Sequence, residues 1–593
     1  MKLSKFFGML FVASLVAMAS CNNDDIAGDG PDMNGGVSGE KTWAMLNFSI
    51  GEAVGTRAAG IGENGSESTS VGSETAVESL DLYIFSQTGK LELKKTYSST
   101  DLVNESDAAY DASKLASSTP MEVTSGTKTF CVILNQQGAP SATVGSTMLS
   151  DFLQAQRTAD DYTLLTTGGL LSATSMMMTG TAEVTLHSGI SKEKVANALS
   201  TNSDLEANNV VTLYVNRNAA KLDLKLGTSD ATTSLPVGDT SAPLATFSNV
   251  QYKVNNLSKN TYYFLQSADA NGVYPTPAYS LPDGTTTGWG SNWFEMGASD
   301  YQSLGETIYL SENTHEQGKA VVGNTTYVLV NGVYVPTDSE YIVDGYDHAT
   351  HEFTPAASGS LTAGQRTIFS YEYSVAFPSF SGTAIELGSS DYATISGYIQ
   401  ALVARRVAEK YSIESDIKAA DVKFYADEDA YNTAVVTPPT QATVYAYLAP
   451  VKVNGVTKEG NYAVVMKRWN VKMGDSDATL DGNFNLAPLT IGVYTTASDG
   501  ASSVGLNCYY RINVFTDGYA KAHPMYYSVM RNVSYHVAIQ SVAKIGENDG
   551  ENVDLPGEEN QEQPVGEATT FMQCKINVYK WVGKNMDIED LGK

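Results

Sequence analysis

The chain is predicted to be all-β dominated, folded as β-sandwiches with a few short helices. Three observations point there. Apolar residues alternate with period two in Leu80, Leu82 and Ile84, and again in Val533, Tyr535, Val537 and Ile539, the mark of strands with one buried face. Turn-forming pairs punctuate such runs at Asn331-Gly332, Asn454-Gly455, Asp499-Gly500 and Asp517-Gly518. Asn-Gly inside the run Val328 to Val335 is the strongest hairpin signal among them. The composition agrees: 34 Tyr and only 17% charged residues in 593 suit exposed β-structure, where Tyr and Thr fit a half-buried pleated surface. Helical periodicity is sparse. Met148 to Arg157 puts Met148, Phe152 and Ala155 on one face, and Ile395 to Val407 puts Ile395, Ile399 and Leu402 together.

At the N-terminus, Lys2 and Lys5 precede an apolar run from Phe6 to Ala19, the layout of a secretory signal rather than a spanning helix. It ends in Leu15-Val16-Ala17-Met18-Ala19-Ser20-Cys21, which resembles a lipobox and predicts cleavage before an acylated Cys21. Asn22-Asn23-Asp24-Asp25 and the Gly/Asp-rich stretch to Glu40 have too little apolar surface to fold and read as a tether. The acidic start of that tether also looks like a Gram-negative outer-surface sorting signal.

The first strand follows, Thr42 to Ile50, with Ala44, Leu46, Phe48 and Ile50 on one face. Next comes Gly55-Thr56-Arg57-Ala58-Ala59-Gly60, where Arg57 is the only basic residue between Lys41 and Lys90. An isolated Arg among small residues in a loop is a natural substrate for a trypsin-like or Arg-specific protease. The polar stretch Ser203 to Asn209 marks a domain boundary. Beyond it the apolar phase changes from Val211, Leu213 and Val215 to Ala220, Leu222, Leu224 and Leu226, which requires a bulge or bend between them. A linker, Gly546 to Gly566, precedes the tail, in which Met572, Cys574, Ile576 and Val578 share one face. The two terminal strands each carry four alternating apolar side chains suited to the same kind of groove, whose burial contributes about 6–12 kcal/mol gross. The organisation expected is a signal peptide over 1–20 and a lipidated tether with a removable first strand over 21–57. An N-terminal sandwich follows over 58–209, then a C-terminal sandwich with inserted loops and helices over 210–560, and a donor-strand tail over 561–593.

The formal net charge of −29 repels phosphate and argues against nucleic acid as a partner. With Cys21 acylated, Cys131, Cys508 and Cys574 are three thiols that cannot all pair, so buried free cysteines are expected. There is no G-x-S-x-G, P-loop, H-E-x-x-H or paired C-x-x-C motif, and neither enzymatic activity nor a cofactor is expected. The densest polar cluster, Asp344, Asp347, His348, His351 and Glu352, reads as a polar loop rather than a metal site. His536 reads as a satisfied strand residue, and Tyr509, Tyr510, Tyr526 and Tyr527 as packing aromatics.

Taken together, these segments resemble the fimbrillins, or type V pilins, and among them the major subunit of the minor (Mfa-type) fimbria. The likeness is carried by Gly323 to Val330, Val529 to Ile539, Val215 to Lys221 and the tail Thr570 to Trp581. It implies two transthyretin-like β-sandwich domains, a detachable N-terminal strand and a C-terminal donor strand. It further implies outer-membrane lipoprotein export through Cys21, and proteolysis between Arg57 and Ala58. Donor-strand exchange would then add the chain to a cell-surface fimbrium that serves adhesion and biofilm formation. The partners implied are identical or related pilin subunits, anchor and tip subunits, a maturation protease and host or bacterial surface receptors. On this reading Ile576 sits deepest in a neighbour's groove and the isolated subunit folds without it. A tip adhesin of the same family and a surface glycan-binding β-sandwich lipoprotein are the alternatives, and a secreted hydrolase is the rival that the missing motifs disfavour.

Overall fold

The computed structural model describes residues 39–50, 72–103, 116–158, 175–266, 293–378, 392–411, 417–550 and 572–580, apart from short internal gaps. Within them the strand-dominated reading holds. The N-terminal body comprises β1 (Lys41–Ile50), β2 (Ser79–Ser86), β3 (Leu91–Ser98), β4 (Leu102–Val103), β5 (Ala116–Ser118), β6 (Met121–Thr124), β7 (Gly126–Leu134), β8 (Gln156–Thr158), β9 (Met178–Leu186) and β10 (Val210–Arg217). Nine of these form one sheet in the order β3-β2-β7-β9-β10-β1-β5-β4, with β6 also on β1. The sheet folds over so that alternate residues of β1, β2, β6, β7 and β10 share one core, among them Leu46, Leu82, Met121, Phe130 and Leu213.

The phase change after residue 215 is the passage between bodies. β10 pairs with β9 and β1, whereas β11 (Ala219–Leu226) pairs with Ile308–Ser311 and with Val533–Val542. The chain therefore changes sheet at Asn218, rather than at 209–210 where the polar stretch pointed. The second sheet runs from β11 to the tail strand Met572–Lys580, over a core that includes Leu222, Phe247, Val330, Tyr510 and Val537.

The inserted region builds a third core. Its long helix, Tyr392–Tyr411, contains and extends the expected Ile395–Val407 segment. Ile395, Ile399 and Leu402 are fully buried there against Val444, Val464 and Ile491 of neighbouring strands.

Two expectations are corrected. Asn331-Gly332 is not a hairpin turn: Tyr327–Pro336 is one continuous strand, paired with Ala245–Ser258 on one side and Val504–Asn513 on the other. Gly332 is needed because the ring of Phe247 occupies the place a Cβ would take. The helix expected over Met148 to Arg157 is shorter, α2 (Leu149–Leu153). Gln156–Thr158 instead forms β8 and pairs with Asn260–Tyr262 of the second body, so a cross-body ladder outweighs helical periodicity. Thr443–Val453 and Val456–Met473 pair antiparallel, and Asn454-Gly455 between them lies outside the described residues. Gly500, at φ 84°, turns between Leu489–Ser498 and Val504–Asn513, and Asp517-Gly518 lies outside the described residues.

The two bodies are joined by apolar packing, beside which the second body buries an ion pair of its own. The outer face of β2 and β7 (Tyr83, Phe85, Cys131, Ile133) packs with Phe152, Ala219, Tyr263 and Phe264. Beside it, Arg531 makes two bonds to Glu312 Oε2, at 3.0 Å from Nε and 2.7 Å from Nη2. It also donates to the carbonyls of Tyr262 and Tyr263 and to Asn218 Oδ1. Both ion-pair side chains are 1% exposed, so the pair holds only while each charge keeps its partner. Glu312→Ala is expected to destabilise the chain by about 3–5 kcal/mol in denaturant unfolding, by stranding the Arg531 guanidinium.

Candidate functional site

β1 is paired along both edges in the N-terminal sheet. On one edge Met45 to Ile50 run parallel to Val210 to Val215. On the other, Lys41 to Ala44 pair with Thr124 to Met121, and Asn47 and Phe48 pair with Ser117 and Ala116. Of the four residues read as its apolar face, Ala44, Leu46 and Phe48 are fully buried in the sandwich core; the side chain of Ile50 lies outside the described residues.

The opposite face of β1 is buried as well. α3 (Lys192–Thr201) lies across it and packs Val195, Ala198 and Leu199 on Met45 and Trp43. The Lys192 ammonium stands 5.7 Å from the Trp43 ring. A polar stitch holds the segment leading into α3. Thr42 Oγ1 donates to the His187 carbonyl (2.8 Å) and accepts from the Ile190 N–H (3.2 Å). The Trp43 N–H donates to the Ile190 carbonyl, and the Asn209 amide reaches Thr42, Trp43 and His187. Thr42, Trp43, Met45 and Asn209 were not singled out in the sequence. The unbroken apolar run Trp43-Ala44-Met45-Leu46 is the signal that would have found this second face, because strands buried on both sides lose their alternation.

The chain after β1 is anchored again at α1 (Gly72–Thr75). Glu74, 2% exposed, accepts from Tyr309 Oη at 2.9 Å and from Lys221 Nζ at 3.3 Å, while its carbonyl accepts from Arg217 Nε at 2.9 Å. Burial pushes the Arg217 guanidinium down to about 9, against the opposing pull of Glu74. Burial likewise lowers Lys221 while Glu74 raises it. Arg57 and Ala58 fall between the two anchors and, like Cys21, lie outside the described residues.

The tail strand has the expected alternation but docks on its own chain. Met572–Lys580 runs antiparallel to Val533–Val542, with Ile576 opposite Val537 and Lys575 opposite Ala538. Met572 and Ile576 are buried in the second core with Cys574 packed against it, and Gln573 and Lys575 are exposed. The side chain of Val578 lies outside the described residues. The expectation that Ile576 plays no part in the isolated subunit is therefore corrected: at 2% exposure it belongs to the subunit's own core. Alternation names the apolar face of a strand, not the sheet that covers it.

The other predicted groups sit in ordinary structural roles. Cys131 and Cys508 are buried and Cys574 half-buried, all free. Burial pushes the thiols of Cys508 and Cys574 up to about 12 and that of Cys131 higher still, which keeps them protonated and unreactive. His348 and His351 lie at the turn of a two-stranded hairpin, where His351 Nδ1 is 3.1 Å from Tyr346 Oη. Among the described residues no three His, Cys, Asp or Glu side chains gather as a metal site needs. His536 lies 2.6 Å from Asp223 and 3.0 Å from Ser534. Tyr510 is buried and donates to the Lys544 carbonyl, and Tyr526 stacks on Phe515.

Residues 505–587 match the sequence model of the family described as major fimbrial subunit protein type IV, fimbrillin, C-terminal. This segment is similar to a fimbrillin C-terminal region. The matched segment contains Val533–Val542 and the tail strand docked on it. No curated protein matches the sequence. Among solved structures, the chain is similar to a fimbrilin from Porphyromonas gingivalis, at 12% identity, over 92% of this chain and 99% of that one, with a TM-score of 0.36. A candidate cell adhesion protein from Parabacteroides distasonis gives 12%, 91%, 100% and 0.36. The tip fimbrial protein Mfa3 from Porphyromonas gingivalis gives 13%, 52%, 83% and 0.28.

Both strands are expected to be sensitive at buried positions and tolerant at exposed ones. Phe48→Ala is expected to cost about 3–5 kcal/mol in the uncleaved chain, measured by denaturant unfolding, whereas Lys41→Ala, at an exposed end of β1, leaves stability unchanged. Ile576→Asp is expected to cost the isolated subunit about 2–5 kcal/mol by placing a carboxylate in an apolar core, with Lys575→Asp nearly silent in the same assay.

Proposed function

We propose that the chain is a structural subunit of a cell-surface fimbrium, acting in the shaft and polymerising by donor-strand exchange. One observation carries the reading. β1 fills a groove lined on both sides by backbone ladders, and the tail is a strand of the same apolar alternation that occupies only a sheet end. The fimbrillin match over the segment bearing the tail supports it.

In this reading the precursor is exported as a lipoprotein through Cys21 and a protease cuts between Arg57 and Ala58. The cut falls between β1 and the Glu74 anchor, so β1 can leave while Glu74, Lys221 and Arg217 hold the rest of the body. Loss of Ala44, Leu46 and Phe48 from the core exposes apolar surface whose reburial contributes several kcal/mol. The tail strand of a second copy supplies Met572, Cys574, Ile576 and Val578 to that groove, with main-chain pairing setting direction.

The donor must first leave Val533–Val542 of its own chain, where it is paired along one edge only. Exchange replaces a one-edge ladder by a two-edge ladder at similar apolar burial, and this difference favours the polymer. Anchor and tip subunits would close the two ends of the assembly, and surface receptors would be met by its exposed flank in adhesion and biofilm formation.

The test is maturation. Arg57→Ala is expected to leave a monomeric precursor that retains β1, while the wild-type assembled material begins at Ala58 by N-terminal sequencing and forms fibres by electron microscopy. Fibres assembled from uncleaved Arg57→Ala protein would sink the proposal.

A further inference from the structure

The tail strand closes one end of the second sheet. Val533–Val542 pairs along one edge with Lys221 to Leu226, in parallel, and along the other with Met572–Lys580, antiparallel. Beyond the tail this sheet has no further strand among the described residues. The register puts Met572 opposite Val542, Cys574 opposite Ile539 and Ile576 opposite Val537. Under this cover Val537, Ile539 and Val542 are at most 1% exposed, and they belong to the core on which the tail's own apolar face packs.

The strand sites outnumber the strands. In the precursor two sites are filled, the groove of β1 and the outer edge of Val533–Val542. Once β1 is cut away, each subunit keeps both sites and owns only the tail. A subunit that gives its tail to a neighbour's groove is left with Val533–Val542 bare. Such an edge presents unpaired N–H and C=O groups beside an apolar row, the template to which a further strand adds. The linker is a poor substitute for the tail, because Glu551 to Gly566 is acidic and includes Pro556 and Pro564, which have no N–H to give a ladder.

The tail itself shows what the edge accepts. It turns an apolar side chain to the core at every second position and leaves Gln573 and Lys575 exposed. Thr570 to Trp581 contains Lys575 and Lys580 and no Arg, Asp or Glu, in a chain of net charge −29. A basic strand on an acidic body is favoured by the field of the whole protein.

We propose that assembly opens Val533–Val542 as a docking edge for an extended segment of a partner protein, apolar at alternate positions and basic on its outward face. This rests on the strand-exchange reading above and adds to it a surface that the free subunit hides. The subunit's own tail blocks the edge until that tail is given to a neighbour, so the fimbrium displays one edge for each donating subunit along its length.

The probe is a peptide of the tail's own sequence, Thr570 to Trp581, with Cys574→Ala and Lys575→Cys. The protein carries Ala538→Cys and Cys574→Ala. Ala538 is the residue opposite Lys575 in the home pairing, so a disulfide forms only where the peptide takes the tail's place. Fibres are expected to cross-link about one peptide per subunit at unchanged length by electron microscopy, and the uncleaved Arg57→Ala form of the same protein less than about a tenth of that. Equal cross-linking of the two forms overturns the proposal, and so does its absence from fibres. In the second case, fibres carrying Ala538→Cys, Lys575→Cys and Cys574→Ala are oxidised without peptide. A disulfide within each subunit means that the tail never left, and strand exchange fails as well. Free thiols mean that the tail has left and that the docking edge alone is wrong.

Discussion

The structure depends on burying a strand on both faces and pairing it along both edges. β1 carries Ala44, Leu46 and Phe48 into the sandwich core, Trp43 and Met45 under α3, and its backbone between β10 and the β5–β6 edge. A strand so placed cannot be lost without being replaced, since its absence exposes apolar side chains and unpaired backbone groups at once. Its connection to α1 runs through residues 51–71, outside the described residues, to the anchor at Glu74.

Much of this was legible in the sequence, for a definite reason. Period-two alternation identified the inner face of β1, the apolar face of the tail and the strands around Leu80 and Val533, because a half-buried strand writes its burial directly into parity. The parity change after Val215 likewise announced the passage at Asn218. What stayed hidden depends on long-range neighbours. Gly332 looks like a turn residue until the Phe247 ring is seen against it. The helical pattern after Met148 stops early because Gln156–Thr158 finds a ladder on the second body. Glu74 gave no signal, since its partners Lys221 and Tyr309 lie far along the chain. The tail's parity was right and its address was not, because alternation is indifferent to which sheet accepts the strand.

The buried charges mark the same division of labour. Glu74 of the first body pairs with Lys221 of the second, and Glu312 with Arg531 is buried within the second body. Buried pairs add little net stability over apolar packing, but they penalise any arrangement that separates the partners. Of the two clusters, Glu74 with Lys221 spans the bodies and ties them together.

The central claim is that the tail strand must leave its own sheet to join a neighbour's. Lys575 lies opposite Ala538 across the cis ladder, so cysteines at both positions, in a Cys574→Ala background, would lock the tail at home when oxidised. The remaining native thiols, Cys131 and Cys508, are buried and do not compete. Polymer length is then measured by electron microscopy on Arg57-cleaved protein, oxidised and reduced. The account predicts monomers under oxidation and fibres after reduction; fibres of equal length in both would contradict it.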